Sequence, residues 1–403
     1  MNTILRLNTY QISLNTLLIS IVFNLPLSRI FPNFYYLVVA VFFSYWLVIA
    51  TYFGKTKIKY ISLVFLTYSA FLFGLFIVQI LTGSSVGLNS AIKSLVTLLW
   101  IPMFYILILP LMEGIDFNKF IKVQIYLALI VGVLGFVQFF GSTTIYGLLP
   151  DSKWDKIVEG GQVGLRTYSI LNSPQVFGLF CIIYAVITIE YKHIFRRSYI
   201  PIAIVIVIFL ASLLSGNKSS SVLFIFYIFF KISLNKTILA RVALFSVGLV
   251  VGSIMIFPPE LNNVEVTGNK SIDRSLGWIS SFGDLTSDRS NQERLGVYKI
   301  NLDQLKPFTG NEIGSTAPNE QGGRLITSES YYMKVLMEGG VMGAFLFISF
   351  LFLGMRELVK NKRKKAIIIY SLVLLSFVFV EAFASPAFFG IWGYLLFEIN
   401  KEN

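Results

Sequence analysis

The chain is poor in the residue types on which soluble chemistry usually depends. Charged residues fill 13% of its 403 positions, about half the usual share for a soluble domain. One cysteine, Cys181, excludes an intramolecular disulfide. One histidine, His193, lies beside Arg196 and Arg197, which argues against a histidine-based zinc site. Low-complexity tracts, a soluble domain and a convincing internal repeat are all missing. Arg6 followed by an apolar run imitates a signal peptide, but no small-residue cleavage site follows. An uncleaved first helix is therefore expected.

What fills the chain is apolar. Hydrophobic residues make up 55% and aromatic residues 16%, and the mean hydropathy is +0.73. Runs near 20 residues recur, the length a helix needs to cross a hydrocarbon layer of roughly 30 Å. They predict spans at Tyr10–Ser28, Phe34–Phe53, Ile61–Leu81, Leu95–Met112, Phe120–Phe140, Val176–Tyr191, Tyr199–Leu214, Ser219–Ile232, Thr237–Phe257, Tyr332–Met355, Ala366–Ser385 and Ala387–Ile399. The last is short enough to be re-entrant. The expected fold is an all-α integral membrane protein with about 12 transmembrane helices and one large extracytoplasmic loop. The aromatic load is expected to face lipid and form an interfacial belt.

A net charge of +12 invites a nucleic-acid reading, but the distribution opposes it. With the N-terminus inside, Arg6, Lys55, Lys57, Lys59, Lys119, Lys122, Lys192, Arg196, Arg197, Lys231, Lys236, Arg241, the cluster 356–365 and Lys401 are cytoplasmic. Short loops on the other side hold only Arg29, Lys93 and Lys218. This is the positive-inside asymmetry, which long loops escape, so cations between Pro258 and Lys334 do not count. The charge reports orientation: both termini are expected in the cytoplasm, with no nucleic-acid partner.

Two expected external segments exceed turn length, 141–173 and 258–332. In the second, Ser290-Asn-Gln-Glu293 reads as a capping box. Leu295, Tyr298, Leu302 and Leu305 then repeat at helical spacing, and Pro307 and Gly310 end the element. An amphipathic external helix lying against the membrane portion is expected. Arg289 and Arg294 at its start oppose the helix dipole, which hints at an anion to be met; an ordinary solvated turn reads the same way. Further on, Thr327-Ser-Glu329-Ser330 leads into a span carrying Gly339, Gly340 and Gly343, which suit close helix packing.

Four of these segments together resemble the O-antigen polymerase and O-antigen ligase superfamily. Glu329-Ser330, nine residues, then Gly340-Val-Met-Gly343 is similar to the ligase signature, with glutamate replacing its histidine. Arg294 through Pro307, Gly310 and Gly314 looks like the family's Arg-led helix closed by proline and paired glycines. Arg166-Thr-Tyr-Ser-Ile-Leu-Asn172-Ser-Pro174-Gln resembles its Arg-to-Asn-Pro-Asn segment. Ser215-Gly-Asn-Lys218-Ser-Ser resembles its Ser-Arg-Gly segment, with lysine in place of arginine. The likeness covers roughly 166–355.

The resemblance implies a glycosyltransferase acting on polyprenyl-pyrophosphate-linked oligosaccharides, without metal or other cofactor. Charge grows on the leaving pyrophosphate, so fixed cations are needed there. Arginine suits that place because it forks onto phosphate oxygens and is always ionised. Arg166, Lys218 and Arg294 are the implied clamps, with Arg289 and Arg324 as further candidates. The acceptor hydroxyl must lose a proton, and Glu329 is implied as the carboxylate that takes it. Ordinary roles compete. Glu329 would also stabilise a first helical turn, the arginines could pair with Glu293, Asp288 or Asp303, and Lys218 could snorkel. Glu381, an expensive charge in a late span, is either functional or packed and hydrogen-bonded. Tyr331 and Tyr332 could stack on sugar faces. Repeat-unit polymerisation at the outer face of a bacterial inner membrane is the expected activity, with a chain-length regulator, a flippase and membrane lipid as partners. A ligase lacking the usual histidine is one alternative. A transporter of the same lipid-linked unit is another, although repeat symmetry, broken helices and midplane polar groups are scarcely visible in the sequence.

Overall fold

A backbone surrounded by hydrocarbon must satisfy its own N–H and C=O groups, and the helix does this within one segment. The computed structural model describes residues 15–16, 19, 22–23, 26–27, 60–108, 115–140, 169–171, 173–215, 217–233, 299–316, 330–379 and 386–400; among them there is no strand. The long elements are α1 (Tyr60–Thr82), α2 (Leu88–Ile108), α3 (Phe117–Phe139), α4 (Pro174–Glu190), α5 (Tyr199–Leu214), α6 (Lys218–Ser233), α7 (Tyr331–Lys360), α8 (Lys364–Phe379) and α9 (Phe389–Asn400). Three of them, α1 from Leu63, α3 and α7, are long and apolar enough to cross a membrane. This is the coarse outline of a helical membrane protein. Of the expected spans, Phe34–Phe53 and Thr237–Phe257 lie outside the described residues, and Tyr10–Ser28 is described only at scattered positions. The chain forms two compact units.

The first unit contains α1, α2, α7, α8, α9 and residues 299–316. α1 carries no charged residue, and its Thr67, Ser69 and Thr82 hydroxyls donate to the carbonyls of Leu63, Phe65 and Val78 one turn back. Phe65, Tyr68, Leu72 and Gln79 form its buried stripe, while Leu63, Phe73, Ile77 and Val78 point away from the protein. α1 packs on α7, and α7 on α8. α7 starts where Ser330, in extended conformation, accepts a hydrogen bond from the Met333 amide at 3.4 Å. Tyr331, Phe377 and Trp392 stack through the unit's centre, with centroids 5.0 and 6.0 Å apart. Fully buried rings such as Trp392, Tyr68 and Tyr331 thus fill an interior where the sequence suggested mainly lipid-facing bulk.

The second unit holds α3 from Ile121 onward together with α4, α5 and α6. Every residue of α4 except Gln175 and Ile189 is buried, as expected of a helix apolar on all sides. α5 and α6 pack on it. At its far end the buried Glu190 accepts from Lys231 Nζ at 2.5 and 2.7 Å and from the Tyr227 hydroxyl at 2.9 Å.

Two boundaries differ from the sequence reading for a physical reason. α2 begins at Leu88, ahead of the expected Leu95, and takes in Lys93, which hydropathy had placed in a short loop. Its first turns are polar because Ser90 and Ser94 are buried against polar chain. α7 runs on to Lys360 but is broken at Gly340, where φ is 63° and ψ is −169°. α9 has 12 residues and rises about 18 Å, too little to cross a hydrocarbon core of about 30 Å.

Candidate functional site

Residues 299–304 are helical, and the chain leaves the helix before Pro307. Within this stretch Asn301 is buried and Leu302 is 54% exposed. Residues 306–316 then form a strap. The strap enters the helical ladder of α7. In an unbroken helix the Val341 amide would donate to the Met337 carbonyl. Here Val341 N donates to Pro307 O at 2.7 Å, and Met337 O accepts from Asn311 N at 2.6 Å. Two strap bonds replace one helical bond, so neither Val341 N nor Met337 O is left without a partner.

The approach is so close that only glycine fits. A Cβ on Gly340 would lie 2.4 Å from Phe308 O and 2.5 Å from Gly310 N. Gly310 (φ 71°) and Gly314 (φ 92°) turn the strap through left-handed conformations, and a Cβ on Gly314 would meet Ala91 Cα at 2.7 Å. These glycines serve a close approach, as expected for Gly340. The partner at Gly340, however, is an irregular strap and not a helix.

Two carboxylates fasten the strap. Glu338 is fully buried. Its Oε2 accepts from Ser94 Oγ at 2.6 Å and Gly314 N at 3.1 Å. Its Oε1 accepts from Thr316 N at 3.2 Å, from Lys334 Nζ at 3.3 Å and from the Thr316 hydroxyl. Lys334, also buried, donates to Thr316 Oγ1 at 2.8 Å. The pair tolerates burial because the carboxyl's acceptor positions are filled. Glu312 is half-buried, and its Oε2 accepts from the hydroxyls of Ser84 and Ser85 at 2.7 and 2.9 Å and from the amides of Ser85 and Val86 at 2.9 and 3.1 Å. Burial pulls this carboxyl upward, but the Ser84 and Ser85 hydroxyls and the two amides outweigh it and hold its pKa below the ordinary value. Between the two acids, Gln79 donates to Ile313 O at 3.1 Å and accepts from Ile313 N at 2.9 Å.

A second polar junction lies in the other unit. Ser169 (φ 51°) donates from its amide to Gln138 Oε1 and from its hydroxyl to Val131 O, both at 2.7 Å. Ser173 caps α4 by accepting from Val176 N at 3.1 Å. Asn217 Nδ2 donates to Gln175 O at 3.2 Å, and Ser212 Oγ donates to Gly178 O at 3.0 Å. The turn 215–220 is thereby tied to the start of α4. Lys218 heads α6, one residue after Asn217.

The four segments singled out in the sequence thus meet in two pairs. The strap with Pro307, Gly310 and Gly314 docks on the Gly340 break, and Gln175 at the start of α4 is bonded by Asn217. Of the individual candidates, Glu329, Arg166, Arg289, Arg294, Arg324 and Glu381 lie outside the described residues, as does the side chain of Lys218. Tyr331 is fully buried against Phe347 and Phe377, and its hydroxyl donates to Thr97 O at 3.4 Å, so it is no sugar platform. His193 is exposed beside the Tyr191 ring. Among the described residues no group of three or more His, Cys, Asp or Glu could hold a metal ion.

Sequence reasoning missed Glu338, Lys334, Glu312, Gln79 and Ser94. One signal was available: Lys334 and Glu338 stand four apart at the head of an apolar run, the spacing of a helical ion pair. Counting Lys334 with the loop cations hid it. The broken helix and its charged pair were likewise not expected. No family model matches the chain, and no curated protein matches it.

Proposed function

We propose that this protein is a membrane-embedded glycosyltransferase that polymerises oligosaccharide repeat units carried on polyprenyl pyrophosphate. It would work at the outer face of a bacterial inner membrane, on units of an O-antigen, capsule or exopolysaccharide. Both termini are then cytoplasmic. Arg166, Lys218 and Arg294, with Arg289 and Arg324 as further candidates, hold the pyrophosphate of the donor. Glu329 takes the proton of the acceptor hydroxyl as its oxygen bonds the donor's anomeric carbon. The bond from that carbon to the phosphate oxygen breaks, and polyprenyl pyrophosphate leaves with the electron pair. The cations stabilise this leaving charge, which is the larger electrostatic demand of the step.

The observation that carries this reading is the pairing of the four segments that resemble the polymerase superfamily. Residues far apart in sequence, Pro307 to Gly314 and Ser330 to Gly343, are joined by direct bonds, and in the other unit Asn217 Nδ2 bonds Gln175 O. The test is extension of a purified lipid-linked repeat unit by the reconstituted protein. Arg294→Ala and Glu329→Gln should each lower the rate at least about 100-fold, the usual scale for a charge-stabilising or proton-transferring group. Normal product length from either variant rejects its assigned role.

One observation favours a transporter of the same lipid-linked unit: the helix break beside a buried ion pair. A deletion strain separates the two. Loss of the polymerase leaves single-unit glycan on the surface, whereas loss of the transporter leaves lipid-linked units on the cytoplasmic face.

A further inference from the structure

We propose that Lys334 and Glu338 are positioning residues, whose buried ion pair clamps the strap and so holds the helical stretch 299–304 in register with the start of α7. The inference rests on the polymerase reading only for the roles of Arg294 and Glu329; the clamp stands on geometry alone. Glu338 bonds three separate pieces of chain at once: Ser94 on α2, Gly314 and Thr316 on the strap, and Lys334 on its own helix. Lys334 closes the ring by bonding Thr316 as well. A buried ion pair rarely stabilises more than apolar residues of equal volume would. What it adds is direction, because a carboxylate with filled acceptor positions allows one arrangement of its donors and penalises the rest.

The positions in the chain give that direction a use. Arg294 precedes the helical stretch 299–304 by five residues, and this stretch runs straight into the strap. Glu329 immediately precedes Ser330, which caps α7. Glu338 lies in the first part of that same helix, before the break at Gly340. The clamp therefore joins the chain leading from Arg294 to the helix that begins beside Glu329. Transfer between two bound sugars depends on such placement, where a displacement of about 1 Å costs roughly 100-fold in rate.

The strap's position can be read without any assay of activity. Cys181, the single native thiol, is fully buried and takes no label. Spin labels at Leu302→Cys and Leu88→Cys, positions 54% and 57% exposed, report the distance from the strap's helical lead-in to α2. In full-length protein in lipid nanodiscs, pulsed EPR should give one narrow distance. Glu338→Ala should broaden it, but that variant leaves Lys334 charged and buried, and it can fail to fold. Lys334→Met combined with Glu338→Met removes both charges at similar volume. It should still fold and insert, with no charge left buried alone, yet show the broadened distance. Its polymerisation should fall at least about tenfold in kcat with KM for the acceptor unchanged, as misplacement of bound groups predicts. A narrow, unshifted distance in the folded double variant overturns the clamp. Broadening with an unchanged polymerisation rate overturns the positioning role. Broadening in a protein whose parent extends no lipid-linked unit upholds the clamp and rejects the polymerase reading.

Discussion

Replacing Gly340 with alanine puts two structures of α7 in competition. In the native one the helix is broken and the strap fills the gap. In the other α7 is continuous, Val341 N returns to Met337 O, and the strap is released. Alanine at φ 63° and ψ −169° occupies a region that is essentially reserved for glycine, at a cost of about 1–3 kcal/mol. Its Cβ would also sit 2.4 Å from Phe308 O, a backbone atom that cannot swing aside. The continuous helix gains about 1 kcal/mol from alanine's higher propensity. Before any cost of the clash, these shift the balance toward release by about 2–4 kcal/mol, a factor of roughly 30 or more. Hydrogen exchange with mass spectrometry reads it directly: the amide of Asn311, which donates to Met337 O, should exchange at least about 30-fold faster. Gly343→Ala is the control. Its nearest atom outside its own helix is Phe71 Cε1 at 3.5 Å, an ordinary contact, so strap exchange should stay within about threefold of the parent. If Gly340→Ala also stays within that range, the strap does not depend on the break, and the account of the glycines fails.

Glu312 predicts a pH response of definite sign. Its folded pKa is lowered, so its contribution to docking is complete above the ordinary value of about 4.5 and is lost as the pH falls through the lower folded value. Exchange of the Ser85 and Val86 amides should accelerate only in that acid range. Glu312→Gln should raise it roughly tenfold at neutral pH, as the loss of one charge-assisted bond implies, and should abolish the acid dependence. In the other unit, Gly178→Ala places a Cβ 2.4 Å from Ser215 Oγ and 2.6 Å from Ser220 Oγ. It should cost about 1–3 kcal/mol in thermal unfolding, and removing one obstacle with Ser220→Ala should recover part of the loss. Equal melting of parent and single variant would show that the turn has slack.

The helices were legible because hydropathy and length alone decide whether a segment can satisfy its backbone in lipid. Tyr199–Leu214 agrees with the sequence reading at both ends, and Tyr60–Thr82 and Lys218–Ser233 differ by one residue at each end. Errors fell where polar residues are buried for a tertiary reason. Ser90 and Ser94 made the head of α2 look like a loop, and only their tertiary neighbours, Glu338 on α7 for Ser94 and Gly314 on the strap for Ser90, account for their burial. The glycines at 310, 314 and 340 were visible as a pattern, but their partner was not, since one-dimensional spacing does not reveal that a loop can take over a helical bond. The paired segments were found through resemblance, and their contacts through geometry. Glu338 and Lys334 escaped because an isolated acid or base near a span end reads as solvated until its neighbours are seen.

The break at Gly340 also bears on depth. The apolar section from 341 to 355, ahead of Arg356, has 15 residues and rises about 22 Å, short of an average hydrocarbon core of about 30 Å. A crossing by this helix therefore draws on residues from before the break as well, and its two sections are stretched across the bilayer together. A thicker host membrane would then pull against the notch where the strap is seated, and a thinner one would tilt the helix. Lipid chain length becomes a handle on the strap that needs no mutation.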